Sequence, residues 1–266
     1  MELRDYQLDC IDHLIQSKYE RECIGMPTGS GKTFVFVNCT AYNYDQRLKT
    51  LILVHRKELL EQTRQAFIKQ FNYYPKLINA GSKVVIQNND YILLGMAQTL
   101  IRRPQLMEVL REKVDVLIAD EAHLAHFLPL IEGFKRVIGF SATPQYVAKE
   151  DCLKNYYHNL YEPTNINKCL AEGYLVPPLT YAPEKLVKKI KSMKFKEVAG
   201  DYSESDMTNK LTEQNIMVDV LDSIQKYKRG RTLIFNASVE HSKIINHKLC
   251  ELGYESYHLD ATTPDN

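Results

Sequence analysis

Over the first half of the chain, short continuous apolar runs alternate with segments whose apolar residues recur every three or four positions. The runs Thr50–Val54, Tyr91–Leu94, Val114–Ala119 and Lys135–Phe140 read as strands. An apolar run without polar alternation suits a strand covered on both faces, as in a parallel sheet. Between them, Leu3, Tyr6, Cys10 and Leu14 mark an amphipathic helix. Further helices are expected from Lys32 to about Tyr44, from Glu58 to Phe71 and from Gln105 to Glu112. Lys76–Ile86 reads as strand, turn and strand around Gly81 and Ser82. Strands alternating with helices predict an α/β fold built on a three-layer parallel sheet.

The periodicity falters from Asp151 to Ala182, where Pro163, Gly173, Pro177 and Pro178 punctuate the chain. Residues 161–183 are therefore expected to connect a first domain over 1–160 to a second over 184–266. In the second, Leu211, Ile216, Val220, Leu221, Ile224 and Tyr227 predict one helix. Thr232–Phe235 reads as a strand, Val239–Leu252 as a helix stopped by Gly253, and Tyr254–Leu259 as another strand. So few strands cover little of an open sheet, so this domain is expected to be incomplete, its other strands lying beyond Asn266. Lys185, Lys188, Lys189, Lys191, Lys194 and Lys196 form a basic run, which fits a solvated face or a nucleic-acid patch.

Composition narrows the class. A hydrophobic fraction of 44% is enough for a full core. No apolar run reaches the ~18 residues of a membrane span, and Met1-Glu2-Leu3-Arg4-Asp5 is too charged for a secretory leader. Six scattered cysteines without a C-x-x-C pair fit reduced thiols rather than a disulfide frame or a zinc site. A cytoplasmic protein is expected, or a nuclear one in a eukaryote. Net charge is +1, so any nucleic-acid contact must come from local patches.

The chemistry centres on Gly25-Met26-Pro27-Thr28-Gly29-Ser30-Gly31-Lys32-Thr33, directly before an apolar helix. Closely spaced glycines let successive N–H groups point into one concavity that holds phosphate oxygens, and the helix start adds its positive end. Lys32 supplies a charge for the β- and γ-phosphates and Thr33 a hydroxyl for Mg²⁺. Met26 stands where the strict pattern has glycine. A second motif, Asp120-Glu121-Ala122-His123, leaves an apolar strand. Adjacent acids there are costly to bury unless they meet a cation. Asp120 is placed to hold Mg²⁺ and Glu121 to deprotonate an attacking water. Weaker candidates are Gln7, whose amide suits an adenine edge or a plain surface position, and His55-Arg56 and Gln98-Thr99 at strand exits. Ser141-Ala142-Thr143 before Pro144 is either a bridge to the acidic motif or an ordinary turn.

In this order the motifs resemble those of superfamily 2 helicases and translocases of the DEAH-box type. The likeness covers the first domain end to end and the opening of the second. Leu3-Arg4-Asp5-Tyr6-Gln7 and Ile138-Gly139-Phe140-Ser141-Ala142-Thr143-Pro144 look closest to the DNA-directed branch with XPB-like, UvsW-like and type I/III restriction translocases. Leu124-Ala125 after His123 also departs from RNA-directed relatives. The resemblance implies a P-loop, RecA-like fold followed by a second, incomplete RecA-like domain. It implies ATP and Mg²⁺ as cofactors, and single-stranded, duplex or branched DNA as partner ahead of RNA.

By position, Arg4 and Gln7 would read adenine. Pro27, Thr28, Gly29, Ser30, Gly31, Lys32 and Thr33 would hold the phosphates. Thr33 and Asp120 would bind Mg²⁺, and Glu121 would serve water. His123, Ser141 and Thr143 would couple nucleotide state to domain movement. His55, Arg56, Gln98 and Thr99 would lie near the strand's phosphates. The family's late arginine motif has no counterpart after Asp260, so slow hydrolysis is expected of these 266 residues. Other readings are the motor of a restriction-type complex, an RNA helicase, a small P-loop kinase or switch NTPase, and a DNA-binding module with a vestigial nucleotide site.

Overall fold

Parallel strands cannot be joined by tight turns, so each apolar run needs a crossover, usually a helix, to carry the chain back. The first unit follows that rule. In the computed structural model, which describes residues 2–78, 84–124, 127–144, 153–198 and 201–263, the chain divides into two units, Met1–Pro177 and Pro178–Asn266.

In unit 1, helix α1 (Asp5–Gln16) leads to β1 (Arg21–Gly25), α2 (Lys32–Asp45), β2 (Thr50–Val54) and α3 (Lys57–Phe71). Then come β3 (Lys76–Ile78), β4 (Ile92–Met96), α4 (Ala97–Ile101) and α5 (Pro104–Lys113). The unit closes with β5 (Val116–Asp120), α6 (Leu128–Ile131), β6 (Arg136–Ser141), β7 (Asn159–Tyr161) and α7 (Ile166–Ala171). The strands form a seven-stranded sheet in the order β3-β4-β2-β5-β6-β1-β7, parallel throughout.

Alternate side chains along each strand feed two cores, as the period of two requires. Leu51 and Leu53 face a core with Leu100, Met107, Leu110 and Ile131 from α4, α5 and α6. Ile52 and Val54 face the opposite core with Tyr6, Leu14, Phe36 and Phe67 from α1, α2 and α3. Burying each such side chain contributes about 1.5–3 kcal/mol. The result is the expected three-layer α/β sandwich, with the loop connections of the site gathered at the carboxyl ends of the strands.

Several expectations shift. Strand β1 is hidden in the hydropathy pattern because it begins Arg21-Glu22. Glu22 is fully buried, and its carboxylate meets His13 Nε2 at 2.9 Å and Arg136 Nη2 at 3.3 Å. Arg136 also donates to the Leu14 carbonyl at 2.6 Å, so the network fixes α1 against β1 and β6. The second strand expected near Ile86 does not form. Val84 and Ile86 pack onto the core without ladder partners, and the turn at Gly81-Ser82 lies outside the described residues.

Unit 2 contains α8 (Glu184–Ser192), a two-stranded antiparallel ribbon of β8 (Glu197–Val198) and β9 (Asp201–Tyr202), α9 (Glu204–Leu211), α10 (Gln214–Tyr227) and α11 (Val239–Glu251). The single helix expected through Leu211 and Tyr227 is two helices, broken at Thr212-Glu213. The strands expected at Thr232–Phe235 and Tyr254–Leu259 are absent. Both segments line one cavity of ≈ 720 Å³ and neither joins a ladder. A strand exists only when its backbone groups find partners, and among the described residues neither segment has a ladder partner. Consequently Phe235 is 90% and Tyr257 76% exposed. Of the basic run, Lys188 pairs with Glu184 and Lys189 with Asp219. Among the described residues no helix is long and apolar enough to cross a membrane.

Candidate nucleotide site

Strand β1 ends at Gly25 opposite Ser141 of β6, and the Met26 N–H extends the ladder to the Ser141 carbonyl at 2.9 Å. The loop that follows turns on two glycines. Gly29 has φ 79° and Gly31 φ 87°, a left-handed conformation that side chains disfavour. Ser30 is buried, its Oγ donating to the Pro27 carbonyl at 2.6 Å. Gly31 caps α2, so the helix begins at Lys32 with its free N–H groups toward the loop. Lys32 Nζ reaches back to the Met26 carbonyl at 3.4 Å. Thr28 and Gly29 are exposed; Lys32 and Thr33 are half-buried.

Helix α1 grips this loop from the side. Gln7 Nε2 donates to the Ser30 carbonyl at 2.9 Å, and its Oε1 accepts the Arg4 N–H at 2.9 Å. Tyr6 Oη donates to the same carbonyl at 2.7 Å. A Cβ on Gly31 would lie 2.4 Å from Gln7 Nε2, so only glycine admits the approach. Gln7 is therefore buried against the loop and not on an open surface. Helical spacing marks Tyr6 only as a core position, and nothing in it reveals the bond that its hydroxyl makes.

Asp120 ends β5. Strands β1 and β5 are the two neighbours of β6, so their ends stand about 10 Å apart. That spacing brings Lys32 close enough to act on Asp120. Burial raises the Asp120 carboxyl to about 6, the Glu121 charge pushes the same way, and the Lys32 ammonium partly offsets both. The chain then bends at Glu121, whose φ is 58°, a strained value for a side chain of that size. The Glu121 N–H donates to Asp120 Oδ1 at 3.1 Å. His123 Nδ1 lies 2.9 Å from Ser141 Oγ and 3.4 Å from Glu121 Oε2. Ser141 Oγ also accepts the Thr143 N–H at 3.0 Å, while Thr143 itself is exposed.

His55 and Arg56 follow β2, and Gln98 and Thr99 sit in α4 after β4. Val54 and Met96 are paired in register, so both pairs emerge side by side at the carboxyl ends of neighbouring strands. Arg56 and Gln98 are exposed.

The donor set fits a magnesium triphosphate. Mg²⁺ keeps most of its waters and takes one or two carboxylates plus phosphate oxygens, and Asp120 with Thr33 supplies that much. A cation beside Asp120 would relieve the burial and like-charge repulsion that raise its pKa. Among the described residues no group of three or more His, Cys, Asp or Glu is arranged to cage a metal.

Residues 1–146 match the family model described as type III restriction enzyme, res subunit. A 51.5 kDa protein of a Lactococcus phage (isolate 7-9) is 28% identical over 252 residues, 91% of this chain and 50% of that protein. The putative ATP-dependent helicase IRC3 of Saccharomyces cerevisiae is 33% identical over 162 residues, 53% of this chain and 23% of that one. The chain thus spans half, or less than a quarter, of the relatives it matches. The UvsW helicase of bacteriophage T4 superposes with a TM-score of 0.51 at 22% identity, covering 61% of each chain. The type ISP restriction-modification enzyme LlaGI, solved with a DNA substrate mimic, gives 0.51 at 15% identity over 85% of this chain and 24% of that one. The likeness to the solved structures shows the shared RecA-like α/β fold.

Proposed function

Because the chain belongs to the family of type III restriction enzyme res subunits, we propose that it is the nucleotide-binding part of an ATP-dependent motor acting on DNA. One observation carries this reading. The glycine loop with Lys32 and the Asp120–His123 turn end strands that share β6 as neighbour, and His123 is bonded to Ser141 on β6 itself.

In this reading the loop N–H groups and Lys32 bind the β- and γ-phosphates, and Arg4 and Gln7 meet the adenine. Thr33 and Asp120 hold Mg²⁺, which when bound would neutralise charge on the phosphates. Glu121 takes a proton from the attacking water. His123, Ser141 and Thr143 couple the state of the site to domain movement. His55, Arg56, Gln98 and Thr99 contact the sugar-phosphate backbone, giving weak sequence preference and strong salt dependence. The RecA-like ATP domain proposed over 1–160 also takes in the end of β7 and α7 from the proposed connector 161–183, since both pack within unit 1. Residues 184–266 belong, in this reading, to a second RecA-like domain.

The reading is tested by DNA affinity with an ATP analogue, with ADP and without nucleotide, using single-stranded, duplex and forked DNA and RNA. Affinity for DNA that changes with nucleotide, in wild-type protein but not in Lys32→Ala, supports it. Affinity indifferent to nucleotide contradicts it, and a response to RNA alone would move the substrate. The family description and the LlaGI likeness also suit a motor within a restriction-type complex. Recovery of a nuclease-bearing partner with the protein from its own cells would favour that role.

A further inference from the structure

Tyr174 lies beyond α7, far in sequence from the glycine loop, yet it is built into the loop's surroundings. The Arg4 guanidinium sits over its ring, 4.4 Å from the centroid. The Tyr6 ring meets it edge-on at 5.7 Å. Arg4 Nη1 donates to Tyr6 Oη at 2.7 Å, and Tyr6 Oη donates onward to the Ser30 carbonyl. The backbone holds Tyr174 in place. Gly173 adopts φ 72°, and the N–H groups of Tyr174 and Leu175 both donate to the Cys169 carbonyl, at 2.8 and 3.0 Å. Leu175 Cδ2 lies 3.0 Å from where a Cβ on Gly29 would stand, so this segment rests on the loop itself.

We propose that Tyr174 backs Arg4 to make a stacking platform for the base of a nucleoside triphosphate whose phosphates lie on the glycine loop. The inference rests on the loop being a triphosphate site with Arg4 meeting the base, and adds the residue that holds Arg4 in place. A guanidinium is planar and stacks on aromatic faces. Held over Tyr174 and bonded to Tyr6, the Arg4 guanidinium is fixed in place beside the loop while remaining partly exposed, which suits it to receive a flat base. Both Arg4 and Tyr174 are partly open to solvent, as a platform must be. Tyr174 acts through Arg4 and is a positioning residue. Because it precedes Pro177-Pro178, base occupancy would bear on the segment that leaves unit 1.

The test compares ATP with inorganic tripolyphosphate, which carries the phosphates and no base, on wild type, Tyr174→Ala, Tyr174→Phe and Lys32→Ala. Tyr174→Ala should weaken ATP about three- to thirtyfold while leaving tripolyphosphate binding unchanged, the range spanned by a cation–π contact. Tyr174→Phe should retain ATP binding, and Lys32→Ala should lose both ligands. Equal losses of ATP and tripolyphosphate in Tyr174→Ala, or no loss of either, would overturn the platform while leaving the phosphate site standing. Wild-type protein that binds neither ligand would overturn the site and the platform with it.

Discussion

His123 Nδ1 and Ser141 Oγ are 2.9 Å apart, joining the acidic turn after β5 to the last residue of β6. Ser141 is fully buried and its Oγ already accepts the Thr143 N–H. The serine hydroxyl is thus the node between the acidic turn and the Ser-Ala-Thr segment.

Ser141→Ala removes that node and leaves two donors or acceptors unsatisfied. It should destabilise the protein by about 1–2 kcal/mol, read by chemical denaturation. ATP binding should stay near wild type, because Ser141 is not placed on the phosphates. The response of DNA affinity to nucleotide should shrink. Unchanged coupling in Ser141→Ala would remove the serine from the relay.

The Asp120 carboxyl titrates well above an ordinary carboxylate because it is buried beside Glu121. Folding raises its carboxyl from 3.8 to about 6, so between those values the folded chain holds a proton that the unfolded chain has lost. The contribution of Asp120 therefore favours folding at low pH and is lost as pH rises from about 4 to about 6. Asp120→Asn abolishes this dependence. Relative to wild type, it should gain up to about 3 kcal/mol above pH 6 in the absence of divalent cation. The same variant should lose Mg²⁺-dependent tightening of nucleotide binding. Denaturation of both proteins across pH 4 to 8 checks the first statement. A variant no more stable than wild type at pH 7 would contradict it.

Glu121 carries backbone strain that its side chain does not explain. Left-handed backbone costs an ordinary residue about 1–2 kcal/mol, so Glu121→Gly should be more stable than Glu121→Ala by about 1 kcal/mol. Both should lose hydrolysis alike, since each lacks the carboxylate. Thermal unfolding of the pair reads the strain alone, the carboxylate being absent from both. Equal melting temperatures would mean that the turn relaxes in solution.

The parts of the site that were legible in the sequence are local. The glycine loop declares its backbone through composition, and α2 begins at Lys32 as its spacing predicts. The strands leading to His55, Gln98, Asp120 and Ser141 were legible because burial on both faces leaves an uninterrupted apolar run. Glu22 broke that signal in β1, since its charge is compensated by His13 and Arg136, which no window in the sequence brings near it. Tyr174 escaped for the same reason. Its partner Arg4 lies at the other end of unit 1, and only the fold brings the two together. The segments at Phe235 and Tyr257 failed in the opposite sense. Their propensity is that of strands, but a strand needs a neighbour to hydrogen-bond, and propensity cannot supply one.

The central claim is that Lys32 and Asp120 act on one magnesium-bound triphosphate. A double-mutant cycle on ATP binding, with Lys32→Ala, Asp120→Asn and the pair measured with and without Mg²⁺, tests it directly. Residues sharing one ligand should couple by about 0.5–3 kcal/mol, and that coupling should need Mg²⁺. Losses that simply add, with or without the metal, would place the two residues at separate sites and contradict the account.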